Sequence, residues 1–143
     1  MRTVVLTLHV VLAIFLIGPL AYASNLAGRA LRDGDAGALR VLSRTVTVNG
    51  WASIVVAALG FGLIQRRYGN ELTDGWLIIS ILLYVLATTL VVVLLAPLLR
   101  AATAQAAGGG STAHLAGRAG AIAGVSSLAY TVIAVLMVWQ PGN

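Results

Sequence analysis

The sequence predicts an all-α integral membrane protein, a single domain folded as a four-transmembrane-helix bundle. Three observations carry that expectation. Of 143 residues, 59% are hydrophobic and only 9% charged, against a charged share of about 25% in soluble domains. Four apolar runs reach the roughly 20 residues that a helix needs to cross a bilayer. Cysteine is absent, which removes disulfides, iron–sulfur clusters and Cys-based zinc sites as sources of stability or chemistry.

The first run, about 3–24, contains "LHVVLAIFLIGPLAYASN" and carries His9 and Pro19 within it. Arg2, an apolar stretch and Ala21-Tyr22-Ala23 also have the order of a secretory signal. The stretch from Thr3 to Ala23 is longer than the usual apolar region of about 7–15 residues in such signals, so a retained span is expected. The second run covers about 45–64. The third, 76–99, runs from Trp76 to Leu99 without a formal charge. The fourth, about 117–139, is rich in small residues and uncharged from Ala119 to Trp139. Connections are expected at 28–44, at 65–75 and at 100–114, the last a flexible loop by its glycines. The segment Asn25–Arg44 mixes leucines with four arginines, so it is expected to include an interfacial helix resting on anionic lipid, interrupted at Asp33-Gly34-Asp35-Ala36-Gly37.

The net charge of +5 comes from arginine alone, since lysine is absent. These arginines sit between apolar runs, so membrane orientation and anionic phospholipid explain them better than nucleic acid does. Arg29, Arg32, Arg40, Arg44, Arg100 and Arg118 fall on one side; Arg2, Arg66 and Arg67 fall on the other, with Glu71 and Asp74. That imbalance predicts a multi-pass protein of the cell membrane with both termini outside and the arginine-rich loops cytoplasmic. Trp76, Trp139 and Tyr68 then fall at the outer interface. Arg29, Arg32, Arg40 and Arg44 are the expected lipid head-group ligands.

The chain also reads as two tandem helical hairpins. Gly18-Pro19-Leu20 matches Ala96-Pro97-Leu98, and Arg44, Gly50 and Ser53 recur at the same offsets as Arg118, Gly124 and Ser127. Each hairpin would leave and return on the same side, making the repeat parallel. Each proline is expected near a helix end, where neighbours can satisfy the freed carbonyl.

Candidate chemistry is sparse. The spans contain no Asp, Glu or Lys, although transporters and pumps rely on ionisable groups at such depths. Paired carboxylates, a phosphate-cradling glycine loop with lysine and HExxH are all missing. A non-enzyme with no cofactor is therefore expected. His9 is the one titratable side chain inside a span, and two readings stay open. It either hydrogen-bonds a neighbouring helix, with Ser80, Tyr84 and Thr88 of the third span offering one polar face, or it ligates haem or copper. His114 reads as a loop or interface residue, and Asp33 with Asp35 supply too few oxygens for calcium. Asn49, Ser53 and Ala57 form a row on the second span. On the fourth, Gly120 and Gly124 form GxxxG extended back to Ala116, beside a small face of Ala119, Ala123 and Ser127. Such faces let helix backbones approach closely, either inside the bundle or against another membrane protein.

The opening helix, with Leu8-His9 followed by Gly18-Pro19, resembles small four-helix integral membrane families of actinobacteria that have no assigned activity. It is distantly similar to the membrane domain of copper-resistance D-type proteins, which also start with a Leu-His helix. In size, four spans and lack of chemistry the chain is similar to the association factor of the actinobacterial cytochrome bcc–aa3 respiratory supercomplex. The last resemblance implies larger integral membrane subunits as partners and an accessory role. The copper likeness implies haem or copper handling through His9.

Overall fold

The computed structural model describes residues 2–64 and 73–141. Arg66, Arg67, Tyr68, Glu71 and Asn143 lie outside the described residues. Four long helices account for the fold: α1 (Thr3–Asp33), α2 (Ala36–Gly62), α3 (Gly75–Ala107) and α4 (Ala113–Trp139). All four are long and apolar enough to cross a membrane, and no strand occurs among the described residues. Helices α1 and α3 each pack between α2 and α4, an up-and-down bundle.

The helices outrun their apolar sequence. At 1.5 Å per residue, the 33 residues of α3 measure about 50 Å, well beyond a hydrocarbon core of about 30 Å. The expected interfacial helix in Asn25–Arg44 therefore does not form. Helix α1 continues to Asp33, the chain reverses over Gly34 and Asp35, and α2 starts at Ala36. Gly34 makes the reversal possible because it ends α1 at φ +66°, where a side chain would clash with the backbone. Asp35 then caps α2, its carboxylate accepting from the Ala38 N–H at 3.0 Å, one of the donors a helix start leaves unsatisfied. The expected loop at 100–114 shrinks likewise, since α3 runs to Ala107. The remaining glycines are held in place. Gly109 adopts φ +77°, a Cβ on Gly110 would lie 2.8 Å from Gln105 Cγ, and Gln105 Nε2 donates to the Ser111 carbonyl at 2.7 Å.

Pro19 and Pro97 both sit in mid-helix rather than near helix ends. Each follows a π-helical turn, Ala13–Ile17 before Pro19 and Leu90–Leu95 before Pro97. Proline lacks the N–H for the regular ladder and its ring abuts the carbonyl four residues back. A turn widened by one residue gives that carbonyl room. The same device at both prolines is the backbone counterpart of the sequence repeat.

Packing is concentrated at the arginine-rich end. Leu20, Leu31, Leu39, Val46, Leu95 and Leu99 are fully buried there, against alanines that keep the backbones close. Toward the termini the bundle loosens. Between Thr3 and Ile17, His9 is the only buried side chain. Trp76, expected at the lipid interface, is instead 7% exposed, and its indole nitrogen has no hydrogen-bond partner among the described residues. Trp139 is 80% exposed.

Candidate functional site

Every neighbouring pair of helices is tied by a side-chain hydrogen bond. Between α1 and α2, His9 Nδ1 lies 2.9 Å from the Val56 carbonyl oxygen. A carbonyl can only accept, so Nδ1 carries a proton and donates it to Val56. Gly60 makes room for the ring, because a Cβ there would meet His9 Cε1 at 3.1 Å. The partner of His9 is thus a backbone carbonyl of α2, not the Ser80–Tyr84–Thr88 face of α3, because the start of α1 packs on α2. Between α2 and α3, Ser53 gives its proton to the Gly50 carbonyl at 2.7 Å, so the Tyr84 hydroxyl donates to Ser53 Oγ at 3.0 Å. Between α3 and α4, the Thr88 and Tyr130 hydroxyls lie 3.3 Å apart. Between α1 and α4, Asn25 Nδ2 donates to Ser127 Oγ at 2.8 Å. Interhelical bonds of this kind are worth about 0.6–2 kcal/mol each in membranes. They fix which faces meet more than they add stability.

Of the residues expected at helix contacts, Ser53 and Ser127 therefore bridge helices. Asn49 does not, since its side chain donates back to the Thr45 carbonyl of its own helix at 3.0 Å. Gly120 and Gly124 face outward, and a Cβ on either would meet nothing within 4 Å. The inward face of α4 is Ala116, Ala119, Ile122, Ala123, Ser126, Ala129, Tyr130 and Ile133. Gly120 and Gly124 therefore make no close contact inside the bundle; alanines supply it, Ala116 of the same stripe among them. His114 is exposed in a short turn at the end of the bundle away from His9. Among the described residues no three His, Cys, Asp or Glu side chains gather where a metal could sit.

The four arginines expected at lipid head groups divide into two kinds. Arg29 pairs with Asp33 at 3.7 Å, both well exposed, and Arg32 is exposed at the end of α1. Arg40 and Arg44 instead line an open groove of about 340 Å³ between α2 and α3, with Ser43, Thr47, Val48, Arg100 and Thr103. The sequence holds a signal that places Arg100 beside Arg44. Arg44 immediately precedes the second apolar run and Arg100 immediately follows the third, so antiparallel helices bring them to one level. No signal marked Thr112. It is 1% exposed and donates to the Leu31 carbonyl at 2.7 Å, pinning the α3–α4 connection to the end of α1.

Residues 3–141 match the family described as Predicted integral membrane protein (DUF2269). The chain belongs to that family. The match spans all four helices, and with their length and hydropathy it makes this DUF2269 chain an integral membrane protein. It carries neither the likeness to the supercomplex association factor nor that to the copper-resistance domain. No curated protein and no solved structure matches the chain.

Proposed function

We propose that this DUF2269 protein is a non-catalytic accessory subunit that packs against larger integral membrane subunits. The observation that supports this reading best is the outward stripe of Gly120 and Gly124. Two glycines one turn apart bare the backbone of α4 on a face the bundle leaves uncovered, and a bared backbone is what a second helix needs for close approach. The resemblance to the supercomplex association factor gives the partner a class, a respiratory electron-transfer complex. Orientation follows the arginines, with both termini outside, the arginine-rich connections in the cytoplasm and anionic phospholipid around them.

A second reading, haem or copper handling through His9, has one observation in its favour. Nδ1–H is held by the Val56 carbonyl, and a backbone carbonyl on one ring nitrogen is the arrangement that orients metal-bound imidazoles through the other.

The deciding experiment is mild-detergent purification from the native membrane, a native gel and mass spectrometry of the large species, with wild type and Gly124→Leu compared. Loss of the large complex, with no loss of stability in the isolated variant, is the expected outcome. Wild type migrating alone, or with haem or copper bound, would refute the accessory reading.

A further inference from the structure

The groove between α2 and α3 carries charge of one sign. Its surface is mostly apolar, Arg40, Arg44 and Arg100 are among the seven residues that line it, and the lining contains no carboxylate. Thr47 and Thr103 also face it, but their protons are committed to the Ser43 and Leu99 carbonyls at 2.8 and 2.7 Å. Ser43 Oγ makes no such bond among the described residues. The donors on offer are therefore three guanidiniums, each with five N–H groups in a planar fork suited to phosphate, and one serine hydroxyl.

Its depth matches a phospholipid head group. Arg44 and Arg100 mark the ends of the apolar runs of their helices, the level at which phosphates of a bilayer lie. On the hydrocarbon side the groove is closed where α2 and α3 touch, since a Cβ on Gly50 would lie only 2.9 Å from Val92 Cγ2. From Val48 at its lip, an outward apolar ridge continues along α2 through Trp51 and Val55, spaced to follow one face and to carry an acyl chain. At about 340 Å³ the groove is at the small end of ligand sites, roughly 300–1,000 Å³.

We infer that this groove is a specific site for a phospholipid whose head group carries two phosphates. One phosphodiester would balance one of the three guanidiniums; two phosphates leave a single positive charge at the aqueous rim. Arg29 and Arg32 take no part. The site is independent of the accessory-subunit reading and would stand if that reading fell.

The test is thermal melting of the full chain in mild detergent, titrated with tetraoleoyl cardiolipin, dioleoyl phosphatidylglycerol, dioleoyl phosphatidylcholine or inorganic phosphate at equal phosphate. Cardiolipin should raise the melting temperature at concentrations well below those of phosphatidylglycerol, and the other two should leave it unchanged. Near an anionic surface an arginine is worth about fivefold in affinity (about 1 kcal/mol). Arg100→Gln should therefore shift the cardiolipin midpoint about fivefold, and the R40Q/R44Q/R100Q variant about a hundredfold. The R29Q/R32Q variant should match wild type. Native mass spectrometry of wild type from cardiolipin micelles should retain one lipid, a readout that does not depend on any variant folding. Equal response to phosphatidylglycerol, equal loss in R29Q/R32Q, reproduction by inorganic phosphate, or no retained lipid would each overturn the inference.

Discussion

Gly50 and Gly124 hold equivalent places in the two hairpins, six residues after Arg44 and Arg118, yet replacing each with alanine should have opposite effects. In a helix interior, glycine to alanine gains about 0.8–1 kcal/mol because the backbone loses less freedom on folding. At Gly124 a Cβ meets nothing within 4 Å, so the isolated protein should keep that full gain. At Gly50 a Cβ would lie 2.9 Å from Val92 Cγ2, against 3.4 Å or more for ordinary contact. One helix must retreat by about 0.5 Å, because a β-branched valine in a helix has almost no alternative rotamer to take. Overpacking of this kind costs about 1–3 kcal/mol, which cancels or exceeds the gain. Gly50→Ala should therefore be neutral to about 2 kcal/mol destabilising, and Gly124→Ala about 1 kcal/mol stabilising. Reversible unfolding by denaturing detergent in mixed micelles, read by circular dichroism, measures both. Equal stabilisation by the two would mean that α2 and α3 do not touch at Gly50. Destabilisation by Gly124→Ala in the isolated protein would mean that the GxxxG stripe is covered within the bundle.

Removing the His9 ring with His9→Ala should cost about 1–2 kcal/mol, the scale of one interhelical bond, and leave haem and metal content unchanged; a wild-type haem spectrum abolished by the substitution would reverse the assignment. In this cysteine-free chain, single cysteines at Thr73 and Asn143 should react with an impermeant maleimide added to intact cells, while one at Ser111 should not. Outside labelling of Ser111 would turn the topology over.

What could be read from the sequence was whatever depends on bulk hydropathy. Four spans follow from apolar length alone, and every one of them is a helix in the structure. What could not be read depends on how helices rotate and where polar ends continue. Asn25–Arg44 has the composition of a surface segment, but one left-handed glycine and one capping aspartate convert it into two helix ends. The arginine groove escaped for a related reason. Arg29, Arg32, Arg40 and Arg44 are neighbours in sequence, whereas Arg40, Arg44 and Arg100 are neighbours in space. Likewise the polar face of Ser80, Tyr84 and Thr88 was legible as a stripe, and Ser80 simply bonds back to the Trp76 carbonyl one turn earlier; but the partners of Tyr84 and Thr88 are Ser53 and Tyr130, which no spacing rule on α3 could name.

The repeat explains why the GxxxG stripe is uncovered. Val92 lies five residues before Pro97, and its counterpart, five before Pro19, is Ile14. If the hairpins were equivalent throughout, Ile14 would sit on Gly124 as Val92 sits on Gly50. It does not. Ile14 and Phe15 are 63% and 69% exposed, and the start of α1 packs on α2 through His9 instead. The His9–Val56 bond and the Gly60 gap that admits the ring have no counterpart in the second hairpin, where the matching approach between α3 and α4 is made by Thr88 and Tyr130. One histidine thus holds the first half of α1 against α2 and leaves the seat on Gly124 empty. Under the accessory reading, that seat is where a partner's helix would take the place of α1, and His9, with no metal to bind, would have a structural reason to lie inside the membrane.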